Sequence, residues 1–216
     1  MAQRWPICFN TGEGDMSIIV EHDKRRSEIL DSAMDVFVED GFENVTFQKI
    51  ADRCGITRTT LYLYFKNKRD IFNFSIKQLL SEIEADIQLI RAKNEATQTQ
   101  KLLEVMYVII DRLEENQKLL LVILGYLHSV SKTDFNPDYR IRRRTVRLRH
   151  ILATILVEGI KKGDFRQSVN VKEANELLYS FIEAAVFRLV ILRNAKVGSL
   201  RDAIALAVQS FGKPAK

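Results

Sequence analysis

Apolar side chains recur at every third or fourth position through most of the chain, the spacing that lines one face of an α-helix. Between residues 24 and 40, Ile29, Ala33, Val36 and Phe37 form such a stripe, and Gly41 supplies the left-handed residue that closes a helix. Thr46 then offers a capping hydroxyl to a short segment over 47–54, with Ile50 and Ala51 facing inward. Gly55 breaks that segment, Ile56 plugs the corner, and Thr57 caps a third one over 58–65. Asn67, with Asp70 three residues later, opens a long amphipathic helix through Ile71, Phe74, Ile76, Leu79, Leu80, Ile83 and Ile87. The helical period continues over 102–115, 119–130, 139–162, 171–194 and 200–211. Asn136-Pro137, Lys162-Gly163, Asn170 with Glu173, and Ser199 with Asp202 mark the boundaries of the last three segments. No stretch shows the two-residue alternation of a strand, so the chain reads as all-α with about nine helices.

The stretch 1–22 has no period, carries Gly12 and Gly14, and is expected to be a flexible tail, with Met16 a candidate for the true start. The remainder divides into a small module over 23–83 and a helical domain over 84–216. Within the module, residues 46–65 have the helix–turn–helix layout, in which the second helix can enter the major groove of DNA. The same layout is also merely a compact way to join two helices.

Charge strengthens the first reading. Lys and Arg number 33 against 28 Asp and Glu, a net charge of +5 that favours a polyanionic partner. Between residues 44 and 72, Lys49, Arg53, Arg58, Lys66, Lys68 and Arg69 outnumber Asp52 and Asp70. On the third helix, Arg58 can donate two hydrogen bonds to a guanine edge. Thr59 and Thr60 offer hydroxyls to bases or phosphates and methyls to thymine, and Tyr62 and Tyr64 can reach phosphates or serve as ordinary packing residues. Cys8 and Cys54 give neither a disulfide framework nor a metal-ligand spacing. The longest uncharged apolar run, 119–127, is about half of the ~18 residues a membrane span needs, and a cytoplasmic protein is expected. No HExxH, P-loop, GxSxG or CxxC pattern occurs, which argues against an enzyme and implies no cofactor and no metal.

Gly41-Phe42, Val45-Thr46, Ile50-Ala51, Gly55-Ile56-Thr57, Leu61-Tyr62-Leu63-Tyr64-Phe65 and Lys68, in that order, resemble the N-terminal domain of the TetR (tetracycline repressor) family of bacterial regulators. The resemblance covers about sixty residues and combines several motifs in order. It implies that Thr46, Tyr62, Tyr64 and Lys68 contact phosphates, that Arg58, Thr59 and Thr60 face bases, and that Thr57 caps the recognition helix within reach of the DNA backbone. Cys54 stands where the family has another small residue, and reads either as a buried small side chain or as a redox switch. The segment 158–166 resembles the joint that precedes the family's last two helices.

For the C-terminal domain the resemblance implies architecture rather than ligand identity. An effector pocket is expected between the middle helices, at Met106, Tyr107, Ile110, Leu124, His128, Ile151 and Ile155, with Leu121 and Tyr126 nearby. Asp111, His128, His150 and Glu183 are the polar groups able to orient a ligand there, though each also reads as a surface or satisfied core residue. The apolar lining suggests a hydrophobic or aromatic effector. Leu177, Leu178, Phe181, Ala185 and Leu189, with Ile204, Val208 and Phe211, form stripes that a second copy would cover in a homodimer, or that would be buried within the subunit. The run Arg140, Arg142, Arg143, Arg144, Arg147 and Arg149 is too dense for one helix face and reads as solvated surface or as a contact for an anion. The expected function is a ligand-responsive repressor that binds a palindromic operator in double-stranded DNA as a dimer. The alternative is a DNA-bound interaction protein that recruits a protein partner.

Overall fold

The computed structural model describes residues 13–130, 138–192 and 197–212, with side chains at 21–128, 146–192 and 197–212. Among these residues the chain forms nine helices: α1 (Glu13–Asp40), α2 (Phe47–Arg53), α3 (Arg58–Tyr64), α4 (Lys68–Ala92), α5 (Gln98–Glu115), α6 (Gln117–Val130), α7 (Asp138–Lys162), α8 (Val171–Ile191) and α9 (Gly198–Phe211). The only extended pairing among them is an isolated antiparallel bridge between Phe165 and Gly212.

The first helix corrects an expectation. Residues 13–22, expected to belong to a loose tail, are the opening turns of α1. No proline or glycine interrupts the chain between Gly14 and Asp40, so nothing in the backbone stops the helix short of Gly41. Residues 1–12 and the Asn136-Pro137 boundary lie outside the described residues. The last helix corrects another. Its N-cap position is Val197, with no side-chain cap, and Ser199 lies inside α9, where its hydroxyl accepts a hydrogen bond from Arg188 Nη1 at 2.8 Å.

The remaining caps follow the sequence. Thr46, Thr57 and Asn67 accept from the backbone N–H groups of Lys49, Thr60 and Asp70 at 3.1, 3.1 and 2.9 Å. Asp70 accepts instead from the Lys66 N–H at 3.0 Å, so Asn67 and Asp70 make only half of a capping box. A complete capping box joins Thr97 and Gln100 at the start of α5. Gly41 and Gly163 take positive φ where α1 and α7 end, which an L side chain would resist.

In the N-terminal module, Ile29, Ala33, Val36 and Phe37 of α1 pack with Ile50, Ala51, Leu61, Phe65 and Ile71, all fully or nearly fully buried. In the C-terminal domain α5 is central. It packs against α4, α7, α8 and α9 and buries Leu102, Val105, Met106, Ile109 and Ile110. The two halves are joined along α4, whose Asp86 accepts from Arg112 Nε of α5 at 2.8 Å and whose last turn is capped at the Arg91 carbonyl by the buried Lys101.

Candidate nucleic-acid interface

The turn between α2 and α3 is built from backbone bonds and one left-handed residue. Cys54 N–H donates to Ile50 O at 3.0 Å, Gly55 N–H to Asp52 O at 3.1 Å and Ile56 N–H to Ala51 O at 3.0 Å, while Gly55 adopts φ 64°. Leu61, fully buried, anchors α3 to the module. Thr59 and Leu63 therefore face away from the protein, and the flanking Arg58, Thr60 and Tyr62 are exposed or half-exposed.

These side chains are held in place before any partner arrives. The Arg58 guanidinium donates to Tyr62 Oη at 3.0 Å and lies 5.6 Å from its ring centroid. The Tyr62 ring in turn rests on Phe47 of α2, with centroids 4.8 Å apart. Ordering Arg58 in advance reduces the entropy lost when it meets an acceptor. Thr57 and Thr60 share a hydroxyl contact of 2.8 Å, and Thr59 stands exposed between them.

Tyr64 occupies a different setting. Its ring stacks on His22 of α1 at 4.7 Å with planes 23° apart, and with Arg25 and Glu28 it borders a cleft of about 580 Å³. Arg26 packs its guanidinium 3.8 Å from the Phe74 ring centroid and 5.0 Å from that of Phe65, which fastens α1 to α4 and to the end of α3. His22, in the stretch expected to be tail, thus lies beside the end of α3.

Lys68 departs from the role that the resemblance implied. Its ammonium donates to the carbonyls of Phe42, Glu43 and Val45 at 2.8, 2.8 and 2.9 Å. Three N–H donors are all that an ammonium carries, so in this arrangement none is left for a phosphate. The residue ties α4 to the corner between α1 and α2. Two further cations counted toward the contact surface are also engaged elsewhere: Lys49 pairs with Asp40, and Arg53 with Glu39. The Arg53 hydrogen bond holds the Glu39 carboxyl below its ordinary range. Local sequence charge had overstated the positive face because the acids of α1 that neutralise it are distant in sequence. Cys54 is half-buried, and burial raises its thiol above the ordinary value despite a hydrogen bond from Ser32 and the nearby charges of Arg25 and Arg53. That disfavours the reactive thiolate and with it the redox reading.

An aromatic cluster connects this module to α6. Tyr126 places its ring 5.0 Å from Phe42, just after α1, and 5.1 Å from Phe72 in the first turns of α4. Phe42 also meets Phe37 and Phe72, both at 5.2 Å.

Among the residues expected to line an effector pocket, Met106, Ile110 and Ile155 are fully buried core. Tyr107, Leu124 and Ile151 are half-buried, and the Tyr107 hydroxyl donates to Arg201 O at 3.3 Å. His128, His150 and Glu183 are exposed rather than interior, and Asp111 pairs with Arg201. Arg140 to Arg144 lie outside the described side chains, while Arg147 pairs with Glu84 at 3.3 Å and Arg149 with Glu176.

The expected dimer stripe needs a larger correction. Leu178, Ala185, Leu189, Ile204, Val208 and Phe211 are buried within the subunit, Phe181 is half-buried, and only Leu177 is exposed. The apolar residues that α8 and α9 leave open are Leu177, Phe187, Ile191 and Leu206, Phe187 being 55% exposed. A helix lodged between α5 on one side and an outward surface on the other carries two apolar stripes, and periodicity does not say which is inner.

Residues 29–73 match the family model described as bacterial regulatory proteins, tetR family. The chain is 29% identical over 163 residues to the fatty acid metabolism regulator protein of Bacillus subtilis (strain 168), covering 74% of this chain and 80% of the relative. Its fold is similar to the crystal structure of the transcriptional regulator FadR from Bacillus subtilis in complex with stearoyl-CoA, with TM-score 0.64 and 26% identity over 87% of this chain and 99% of that one. A TetR transcription regulator from Haloarcula marismortui shares the fold at TM-score 0.71 and 20% identity, over 88% of this chain and all of that chain. Among the described residues no helix is long and apolar enough to cross a membrane.

Proposed function

The chain is a member of the TetR family of bacterial regulatory proteins, and from that premise we propose that it is a ligand-responsive repressor, leaving a palindromic operator when an effector binds. The observation that carries this reading is the outward face of α3, where a capped, buried-anchored helix presents Arg58, Thr59, Thr60 and Tyr62 in an ordered array. Arg58 and the two threonines read base edges, and Thr46, Thr57, Tyr62 and Tyr64 hold the backbone. Two half-sites ~34–36 Å apart require two copies, and the open apolar stripe of α8 and α9 is the surface that supports a homodimer.

The effector we favour is a long-chain acyl thioester of coenzyme A. Support comes from the Bacillus subtilis relative that carries stearoyl-CoA in its solved structure, and from the apolar side chains of α5 and α7 that would accept an acyl tail. A net charge of +5 suits the anionic head group. Coupling between the sites runs through Tyr126: a ligand that shifts α6 displaces the ring lodged between Phe42 and Phe72, and so moves the α1–α2 corner and α4 together. The long helix α4, fixed to that corner by Lys68, passes on the same displacement.

Fluorescence anisotropy of a selected duplex, measured across salt concentrations and then with stearoyl-CoA, free coenzyme A and stearate, tests each part. Salt-sensitive affinity for one operator, lost on adding the thioester alone, is the expected result. Absence of affinity for every duplex sinks the reading. A chromosome-wide binding map separates it from recruitment of a protein partner, since regulation predicts one or a few promoters and recruitment many dispersed sites.

A further inference from the structure

We infer that Leu63 is a specificity-determining residue that reads the 5-methyl group of a thymine in each half-site; this rests on the DNA-binding reading above. Leu61 is fully buried and defines the inward pole of α3. At 3.6 residues per turn, Thr59 and Leu63, each two positions from Leu61, stand about 160° from that pole and about 40° from one another. They occupy the centre of the face turned away from the protein, with Arg58 and Tyr62 on one flank and Thr60 on the other. Leu63 is 76% exposed, more than any other large apolar side chain described.

Tyr62, its neighbour, is engaged by Arg58 and Phe47, whereas the isobutyl group of Leu63 projects from that array toward the partner. Leucine has no donor or acceptor, so it cannot hold a phosphate or distinguish bases by hydrogen bonding. The apolar group that the major groove offers is the thymine methyl, which a leucine at the centre of an inserted helix face can cover. Burying it removes two apolar surfaces from water at once, a gain that no other base pair at that position returns.

The test uses the full chain and the operator obtained by duplex selection. Each thymine of a half-site is replaced in turn by deoxyuridine, which deletes only the methyl. At one position per half-site the wild-type protein should lose affinity about 4-fold, equivalent to about 0.8 kcal/mol, and about 15-fold when both half-sites are changed. Leu63→Ala should bind the thymine operator more weakly by at least that factor and be indifferent to deoxyuridine there, with an unchanged salt slope. Leu63→Met should keep part of the sensitivity. Wild-type affinity indifferent to every such replacement, or a Leu63→Ala protein as sensitive as wild type, overturns the assignment while leaving DNA binding intact. A loss in Leu63→Ala that is equal on all sequences assigns the side chain to the sugar–phosphate wall and also overturns it. Failure of the wild-type protein to bind any duplex refutes the underlying reading instead.

Discussion

Replacing Lys68 by methionine separates a structural lysine from a phosphate contact, because the two roles move different observables. The ammonium bridges three carbonyls at 2.8 to 2.9 Å, two of the bonds part-buried and one exposed. It also lies 5.1 Å from the Phe42 ring centroid. Methionine keeps most of the aliphatic stem, so packing changes little and the loss is that of the hydrogen bonds. Taking about 1 kcal/mol for each part-buried bond and little for the exposed one gives a destabilisation of about 2 kcal/mol. For a domain of this size that corresponds to a fall in Tm of about 4 to 8 °C. Thermal unfolding followed by circular dichroism reads this directly. Titration of the operator at several salt concentrations then supplies the second observable. If Lys68 holds carbonyls, the slope of log affinity against log salt stays at the wild-type value, whatever happens to the affinity itself. If it held a phosphate in each subunit, removing both charges would lower that slope by about 2. An unchanged Tm together with a reduced slope refutes the structural role.

Three other expectations follow from named contacts. A Cβ added at Gly159 would sit 2.2 Å from Cδ2 and 2.3 Å from Cε2 of the fully buried Phe165. Gly159→Ala should therefore destabilise by about 1 to 3 kcal/mol in chemical denaturation despite its better helix propensity, whereas Gly125→Ala, which meets open space, should be neutral or stabilising. Phe187→Glu should convert a dimer to a folded monomer in sedimentation velocity, while Ile204→Glu, which buries a charge inside the subunit, should unfold it; dimers that survive Phe187→Glu refute the proposed interface. Glu39 and Glu176 are held below the ordinary carboxylate value of 4.5, chiefly by hydrogen bonds from Arg53 and Arg149. A carboxyl lowered in the folded state stabilises above its ordinary value, so this contribution should hold from neutral pH to about 5 and fade as pH drops below 4.5. The double variant Glu39→Gln, Glu176→Gln should flatten that acid limb in pH-dependent melts; an unchanged limb removes these two pairs from the account.

What the chain made legible, and what it hid, divides along one physical line. Threonine and asparagine caps, the Gly41, Gly55 and Gly163 stops and the 3.6-residue stripes are local, and the helices they predict are present, with Ile29, Ala33, Val36, Phe37, Ile50 and Ala51 inward as expected. Apart from the opening turns of α1 and the uncapped start of α9, what the structure changes concerns partners remote in sequence. The family resemblance implies a phosphate for Lys68, and its sequence neighbourhood does not reveal the carbonyl acceptors 23 to 26 residues back. Arg53 is answered by Glu39 across 14 residues. On α8, two apolar stripes share one periodicity, and only the packing of α5, α6, α7 and α9 decides that Leu178, Ala185 and Leu189 are inner while Leu177, Phe187 and Ile191 are outer. Leu63 shows the converse: an apolar residue in a short amphipathic segment does not state its direction, and its meaning emerges only once Leu61 fixes which way is in. The residues proposed for specificity and coupling, Leu63 and Tyr126, are thus defined by orientation and by long-range contact. In Tyr126 the consequence is mechanical as well as diagnostic. A ring seated between Phe42 and Phe72 can take up a displacement of α6 only by moving a corner that Lys68 has already fastened to α4. On the proposed mechanism, the reading face would therefore be repositioned as a unit with α1, α2 and the start of α4, rather than by melting α3 out of its module.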